Sequence, residues 1–311
     1  MNRLLLTISM CLISCFVSAQ NDDTGYEFLR IPTSAHSAAL GGNNVSIIED
    51  DATLFFTNPA LLCNVSDKTL NFNYTSYLAS GNQFSASFVR QVGERGSWAL
   101  GAMALNYGEM YETNENFEEL GTFSANDINI QGGYSYLLSD RWTGGVQAKV
   151  LMSNYGEFSS VALGVDLGLN YYDEERGWSI GLVAQNVGGQ VKALHETHEA
   201  LPCNVVLGIS KDFNNAPLRL SLTFDKLTSW KYKKPKHHIT LGLDIFPSDA
   251  TWVAVGYNPL RADEMKVGDS SKWAGLSLGA GLSVKKLKVG VAYGKYHVSS
   301  SSLLANLSYT F

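Results

Sequence analysis

The segment His195-Glu196-Thr197-His198-Glu199 is the part of this chain that most resembles a metal-binding motif. A zinc protease places two histidines four residues apart, so that both lie on one helical face, and uses a neighbouring glutamate as general base. Here the histidines are three residues apart, in a segment that we expect to be a surface loop. The spacing therefore predicts a solvated polar loop rather than a zinc site.

Two further features could be taken for sites. His36 lies between Ser34 and Ser37, but no acid or nucleophile stands at a spacing that suggests a catalytic triad, and small-residue packing accounts for it. Gly279-Ala280-Gly281 lacks the third glycine and the helix of a nucleotide-binding loop, so we interpret it as strand glycines facing a tight lumen. The sequence predicts no catalytic residue, metal ligand or cofactor, and hence no enzyme.

Composition narrows the class of protein. Charged residues make up 17% of the 311 residues, against roughly 25% in average soluble proteins, while aromatic residues make up 11%. Disordered chains show the opposite balance, and a net charge of −6 disfavours nucleic acid as a partner. No internal stretch approaches the ~18 apolar residues of a membrane helix. These values leave a glycine-rich β protein, soluble or embedded in lipid.

The first nineteen residues resemble an export signal. Arg3 precedes an apolar run from Leu4 to Val17, and Ser18 and Ala19 provide small residues for cleavage. We predict a signal peptide over 1–19. An alternative is lipoprotein processing at Cys15. Either way only Cys63 and Cys203 remain, which is too few for a disulfide scaffold. The topology derived below places them on opposite sides of a membrane, so we expect no bridge between them.

From Thr69 onward, apolar and polar residues alternate with a period of two, as they do in strands with one apolar face. Leu218, Leu220, Leu222 and Phe224, for example, alternate with polar residues. The predicted strands span 69–79, 82–92, 96–107, 124–138, 141–153, 157–172, 177–187, 202–213, 217–226, 236–246, 250–260, 270–284, 287–296 and 301–311. An even number of strands near ten residues long predicts an all-β fold, a 14-stranded antiparallel transmembrane β-barrel over 69–311.

Connections and aromatic residues support the same fold. Connections after even-numbered strands are short, whereas several after odd-numbered strands are long, as for periplasmic turns and surface loops. The six tryptophans fall at or near strand ends, where a lipid–water boundary would lie. The last strand places Tyr309 and the terminal Phe311 on one face, which resembles the C-terminal assembly signal of bacterial outer-membrane proteins. A soluble β-sandwich would explain the alternation but not these features.

The segment 20–68 differs from the rest because it shows no sustained alternation. Its small residues around 34–43 predict a short helix, with Thr33 or Ser34 as the N-cap and Gly41 or Gly42 as the stop. Further along, Asn58-Pro59-Ala60 predicts a turn, since proline pushes the preceding residue toward an extended conformation.

Two predicted loops carry charge of opposite sign. The 108–123 loop contains five glutamates and no basic residue, whereas the segment 231–238 is basic. Solvated loop charge is one explanation for both. The other is that the basic loop contacts anionic lipopolysaccharide and that one or both loops dock a surface protein. The residues that would make this contact are Lys231, Lys233, Lys234 and Lys236.

These features together resemble the FadL-like outer-membrane barrels, in which an N-terminal hatch with an Asn-Pro-Ala motif plugs the lumen. The hatch motif corresponds to Asn58, Pro59 and Ala60. Within that group the chain is similar to the PorQ family of the Bacteroidota type IX secretion system. The stretches that carry this similarity are Tyr26 to Ala35, Ala38 to Asn43 and Asn58 to Leu62.

The resemblance implies a structural role and a location. A PorQ-like barrel would be a non-enzymatic component of the outer membrane, with 20–68 as a hatch or plug segment and both termini in the periplasm. It would anchor a PorZ-like surface protein in the attachment complex with PorU and PorV, where cargo is joined to anionic lipopolysaccharide. The short chain and modest surface loops favour this family over PorV-like barrels and fatty-acid transporters.

Alternatives remain open at this point. A FadL-type transporter would pass hydrophobic compounds and would need an apolar cavity, whereas the predicted lumen-facing residues are mostly polar. A PorV-like shuttle barrel for cargo begins with a related sequence. An outer-membrane phospholipase or protease lacks a recognisable catalytic set.

Overall fold

The computed structural model describes residues 24–77, 81–113, 118–194, 197–213, 215–228, 234–265, 274–296 and 301–311. Within them, fourteen antiparallel strands form one closed barrel, in which sequence neighbours pair and β1 pairs with β14. The prediction of a 14-stranded antiparallel barrel is confirmed. The strands are β1 (Thr69–Ser76), β2 (Asn82–Val92), β3 (Gly96–Thr113), β4 (Glu119–Ser139), β5 (Trp142–Tyr155), β6 (Phe158–Asp173), β7 (Trp178–Lys192), β8 (Asn204–Asp212), β9 (Leu218–Phe224), β10 (Ile239–Ser248), β11 (Thr251–Tyr257), β12 (Leu276–Val284), β13 (Leu287–Gly294) and β14 (Ser302–Thr310).

The period of two in the sequence separates the two faces of the barrel wall. Large apolar residues such as Leu100, Leu163 and Leu241 point outward and are half-exposed, whereas alternating polar residues such as Gln147 and Thr223 are buried on the inside. An apolar exterior around a polar interior is the arrangement that lets a barrel span a bilayer, because closure pairs the strand edges within the sheet.

The two ends of the barrel differ in their connections. We call the end that carries the connections after even-numbered strands the turn end, and the opposite end the loop end. Connections at the turn end are short, such as 93–95, 140–141 and 285–286. The loop end carries the longer segments 193–203, 225–238 and 258–275, together with shorter connections such as the two-residue turn at 156–157.

The acidic segment 108–123 is not the loop that we expected. β3 continues to Thr113 and β4 begins at Glu119, so the hairpin extends beyond the predicted strands. The pairing register shifts between Asn106 and Glu109, and Gly108 has a φ of 83°. This bulge interrupts the alternation of side chains, so a period of two does not predict the strand beyond it. The pairing of β3 with β4 resumes after the bulge.

Residues 24–68, which we call the hatch, lie inside the barrel. They contain helix α1 (Ala35–Ala39) and three 3-10 helices, Glu27–Arg30, Ala52–Phe56 and Pro59–Asn64. Loop-end segments add a 3-10 helix, Pro235–His238, and helix α2 (Pro259–Glu264). Among the described residues, no helix has the length and apolar character needed to cross a bilayer.

The hatch runs along the lumen from the loop end to the turn end. Thr24 forms a bridge with Ala200 at the loop end, whereas the backbone N–H of Phe311 donates to the Lys68 carbonyl at the turn end. The described chain therefore starts and finishes at opposite ends of the barrel. The periplasmic location of both termini stays a prediction, because the residues before Thr24 lie outside the described part.

The cysteines and one tryptophan test further details of the topology. Cys63 lies at the turn end beside Ser135, while Cys203 lies at the loop end, and neither is part of a disulfide. Trp252 does not mark a lipid boundary. It points into the lumen opposite Gly281, whose missing side chain leaves room for the indole ring.

Candidate functional site: the hatch inside the barrel

Helix α1 places a histidine against the inner face of the barrel wall. Ser34 is the N-cap, with an extended backbone and a side chain that accepts from the Ser37 N–H, and Gly41 and Gly42 follow with φ of 102° and 127°. Serine caps the free N–H groups at a helix start, and glycine adopts the left-handed conformation at the end without strain. The predicted short helix is confirmed. Its single turn fixes the direction in which His36 points.

His36 belongs to a ring of four charged groups, two from the hatch and two from the barrel, of which only Glu49 is partly exposed. Its Nε2 lies 2.6 Å from Asp244 Oδ1, and its Nδ1 forms an ion pair, without the geometry of a directed hydrogen bond, with Glu49 Oε2 at 2.7 Å. Arg219 of β9 completes the ring, with Nε 2.7 Å from Asp244 Oδ2 and a second ion pair to Glu49. Each carboxylate thus contacts both cations.

The ring fixes the charge of its hatch members. Burial disfavours the charged imidazole, but the carboxylates of Glu49 and Asp244 outweigh it and raise the pKa of His36 to about 9. Burial also opposes ionisation of Glu49, yet His36 and Arg219 lower the pKa of its carboxyl to about 2. His36 is therefore a cation at neutral pH. Its ring also stacks on Trp252, with centroids 3.8 Å apart and planes 4° from parallel.

The Asn-Pro-Ala motif fixes the second half of the hatch. Asn58 is extended, its Oδ1 accepts from the Ala60 N–H at 3.0 Å, and its Nδ2 donates to the Val45 carbonyl at 2.8 Å. The expected extended Asn58 is confirmed, but the chain continues as a 3-10 helix instead of a simple turn. The Asn58 side chain thereby caps the 3-10 helix Pro59–Asn64 and also ties it to the backbone at Val45.

Glycines in β5 and β6 allow this motif to touch the wall. A Cβ at Gly145 would overlap the backbone of Pro59 and Ala60, and one at Gly168 would overlap Asn58 Oδ1. Gly256 and Gly279 similarly face Leu40 and Ala39. Backbone approaches backbone here because no side chain intervenes. The interpretation of Gly279 as a lumen-facing strand glycine is confirmed.

The hatch also has a polar attachment near each end of the barrel. At the loop end, Arg261 of α2 stacks on Tyr296 at 4.2 Å and donates to the Gly41 carbonyl. At the turn end, Lys288 of β13 forms an ion pair with Asp50 and donates to its backbone carbonyl at 2.7 Å. The hatch is thus attached near both ends of the barrel as well as through the His36 ring.

A cavity of about 340 Å³ separates the hatch from the barrel wall near the loop end. Side-chain amides from β4, β7 and β8 line it, together with Lys149, which is itself buried and paired with Asp166 at 2.7 Å. Phe56, Tyr77 and Tyr296 contribute aromatic surface. The wall is mixed but richer in polar groups than a site for hydrocarbons would be.

The predicted contact lysines lie at the loop end where they are described. Lys231 and Lys233 lie outside the described residues. Lys234 is exposed, and Lys236 is half-exposed and pairs with Asp263 at 2.6 Å. His237 contacts the same carboxylate at 2.8 Å, and these contacts lower the pKa of Asp263.

The predicted assembly signal lies at the turn end. Tyr309 and Phe311 are outward-facing and exposed, and their rings meet edge to face with centroids 5.1 Å apart. Their role in assembly remains a prediction. His195 and Glu196 of the zinc-like segment lie outside the described residues, and the described part of the chain contains no cluster of potential metal ligands.

The sequence argument missed the role of His36. It treated this residue as small-residue packing, whereas the structure gives it two ion pairs and a stacked indole. Two charged residues in the strands could have indicated that the lumen holds a charged partner. Arg219 and Asp244 stand alone on the polar faces of β9 and β10, and a charge that points into a narrow lumen needs a partner.

Solved structures with this architecture include transporters and channels. The toluene transporter TodX of Pseudomonas putida is 14% identical, with a TM-score of 0.60 over 89% of this chain and 97% of that one. The toluene transporter TbuX of Ralstonia pickettii is 13% identical, with a TM-score of 0.61 over 91% and 100%. A FadL homologue of Pseudomonas aeruginosa is 13% identical, with a TM-score of 0.53 over 90% and 98%. The chain has the fold of the FadL-like outer-membrane barrels.

Sequence comparisons add less. Two UPF0164 proteins of Treponema pallidum are 27% identical over 175 residues and 25% identical over 202 residues, covering 52% and 59% of this chain. The chain spans 43% and 61% of the length of these curated relatives. No protein-family model matches the chain. At identities near 14%, the structural likeness shows the fold alone, and the neighbours with named activities are transporters rather than enzymes.

Proposed function

We propose that this chain is a non-enzymatic anchor in the outer membrane, closed by its hatch, that holds a surface protein at its loop end. The observation that carries the proposal is the filled lumen. The hatch is fixed by the His36 ring, by backbone contact at Gly145 and Gly168, and by attachments at both ends. A barrel whose interior is occupied in this way is a rigid platform rather than an open pore.

The sequence similarity to the PorQ family supports a particular setting for this platform. There the chain belongs to the attachment complex of the type IX secretion system, with PorU and PorV, and its partner is a PorZ-like surface subunit. The loop end faces the exterior, where cargo is linked to anionic lipopolysaccharide. Lys231, Lys233, Lys234 and Lys236 contribute positive charge to that face.

A pull-down in the native host tests the partner. Full-length tagged chain is crosslinked in intact cells and purified in detergent, and a PorZ-like protein is the expected catch. The variant with all four lysines changed to glutamate should retain less of this protein or of lipopolysaccharide. A control with Lys285→Glu and Lys286→Glu changes charge at the turn end instead, and should retain as much as the natural chain.

A second candidate function is transport of hydrophobic compounds, which the fold of the solved neighbours favours. The amide-rich cavity and the attached hatch disfavour it. Gene deletion separates the two functions: loss of cargo attachment with normal uptake supports the anchor. Normal attachment with lost uptake of a hydrophobic nutrient would overturn it, and a tagged chain that captures cargo in place of a PorZ-like protein would indicate a PorV-like shuttle.

A further inference from the structure

The β3–β4 hairpin extends beyond its neighbouring strands at the loop end. β3 pairs with β2 only as far as Asn106, and β4 pairs with β5 only from Ala125. Further out, the residues that we call the ribbon, 109–113 and 119–123, pair with each other. At about 3.4 Å per residue the ribbon is roughly 17 Å long. It is a two-stranded sheet without a barrel strand on either side in the described part of the chain.

One edge of the ribbon has backbone groups available for pairing. The Gly156 N–H donates to the Ser124 carbonyl at 3.1 Å, at the point where β5 ends. Residues of an antiparallel strand direct N–H and C=O to alternate edges, so Thr122 directs both groups to the same edge as Ser124. Within the described residues, no backbone hydrogen bond reaches this edge at 119–123. A Cβ added at Gly121 would meet no heavy atom within 4 Å, so the space beside the strand is open.

The side chains of the ribbon do not protect this edge. Proline and lysine often block exposed strand edges, but neither occurs in 108–123. Tyr111 is 67% exposed and Leu120 is 64% exposed. Tyr111 lies opposite Thr122 and therefore shares a face with it. Exposed apolar side chains beside unpaired backbone groups are what an added strand needs for packing and for hydrogen bonding.

Charge distinguishes between possible occupants of the edge. Segment 108–123 contains five glutamates and no basic residue, so its charge is not compensated within the segment. A second copy of this chain would bring its own glutamates against these, and like charges across an interface cost free energy. A strand that carries lysine or arginine would be attracted instead. The charge therefore favours a basic strand from a different protein.

We propose that the ribbon holds a surface protein by strand addition, in which a basic edge strand of that protein pairs with the β4 edge at 119–123. This inference rests on the proposed anchor function and specifies where the partner is bound. Main-chain hydrogen bonds provide affinity, and the glutamates select the charge of the strand. A two-stranded sheet alone is marginally stable in water, and the added strand makes it three-stranded.

Thr122→Pro tests strand addition without removing a hydrogen bond of the hairpin. Proline has no N–H, and the Thr122 N–H points away from β3, so only pairing at the outer edge is lost. Thr122→Val is the matched control because it keeps the N–H and a β-branched side chain. The probe is a short peptide of alternating lysine and valine, added to the full chain in detergent. Fluorescence anisotropy should show equal affinity for the natural chain and Thr122→Val, and about tenfold or more weaker binding to Thr122→Pro.

A second variant tests the charge argument at a different position. Glu109 and Glu118 are both exposed, and Glu109→Lys with Glu118→Lys should weaken binding of the lysine peptide about tenfold. Heat-modifiable gel migration establishes that each variant barrel is folded. Absence of saturable binding of the lysine peptide to the natural chain, or equal affinity for Thr122→Pro and Thr122→Val, would overturn the inference. So would equal binding of a peptide with glutamate in place of lysine.

Crosslinking in intact cells of the native host tests the partner. A photo-crosslinking amino acid replaces Leu120 in the full chain, and mass spectrometry identifies the attached peptide. We expect a basic strand of a surface protein, with about tenfold less product when Thr122→Pro is also present and no loss with Thr122→Val. A crosslink to a second copy of this chain or to a segment without basic residues contradicts the inference. If the tagged natural chain retains a surface protein that Thr122→Pro retains equally, strand addition is wrong but the anchor function stands. If it retains no surface protein, both are wrong.

Discussion

His36→Phe should release the hatch from the barrel without filling or emptying the space that the ring occupies. Phenylalanine keeps an aromatic ring against Trp252, which stacks on His36 at 3.8 Å, but it removes the cation between Glu49 and Asp244. Arg219 is then left with two buried carboxylates. Removing one member of a buried ion pair leaves an uncompensated charge and costs roughly 3–5 kcal/mol.

The pKa of His36 gives an independent magnitude. A rise from 6.5 to about 9 corresponds to about 3 kcal/mol of preferential interaction with the charged imidazole, which is roughly a 300-fold change in the equilibrium for hatch release. Because the pKa is raised in the folded state, this contribution is fully present below pH 6.5. It is lost as the pH rises through about 9.

Hydrogen exchange measures the release directly. The Ala38 and Leu40 amides donate to the Ser34 and His36 carbonyls within helix α1, and they exchange when the hatch opens locally. At pH 6 we expect roughly 300-fold faster exchange at these amides in the variant, with strand amides of the barrel unchanged. His237→Phe, which alters a loop-end contact with Asp263, is the matched control and should leave α1 protected.

Urea unfolding at pH 6, 8 and 10 adds the pH dependence. The natural chain should lose stability progressively from pH 6 through pH 8 to pH 10, whereas the variant should lose much less. If exchange of the α1 amides in the variant rises less than about tenfold, or both proteins lose stability equally at high pH, the ring does not hold the hatch.

Three other changes test the remaining contacts. Gly168→Val places side-chain atoms where Asn58 Oδ1 lies, so we expect hatch undocking, visible as new protease cleavage within 41–58 of the otherwise resistant folded chain. Lys149→Met leaves Asp166 buried and unpaired, which should lower the free energy of unfolding by about 3–5 kcal/mol in urea titrations, while Lys149→Met with Asp166→Asn should recover part of it. Phe311→Ser should reduce the amount of heat-modifiable, folded barrel in outer-membrane fractions without changing expression; equal amounts would remove the assembly role from this residue.

The barrel was predictable because its physical constraint acts on every strand. Outward residues such as Leu163 and Leu241 must face lipid, so their period of two survives along each strand and shows strand number and order. The prediction failed where pairing became irregular. Between Asn106 and Glu109 a bulge breaks the alternation, and a segment that reads as an acidic loop is an extension of the β3–β4 hairpin.

The hatch was only partly predictable because its contacts are long-range. Local signals gave helix α1 and the extended Asn58, since caps and proline act within a few residues. The pairing of His36 with Asp244 joins positions 208 residues apart, and no local pattern records it. The charges on the polar faces of the strands show that partners are needed, but not which ones.

Two kinds of contact fix the same register of the hatch for separate physical reasons. Backbone contact at Gly145 and Gly168 requires one register of the hatch, because a shift by one residue would bring side chains against the wall. The His36 ring requires the same register for a separate reason, since both cations must meet both carboxylates. Displacing the hatch therefore breaks both sets of contacts together. In a transporter, the hatch must be displaced by the substrate with little free energy. In a surface anchor, the hatch can stay in place while the partner is bound. The coupled contacts make displacement of the hatch costly, which fits the anchor.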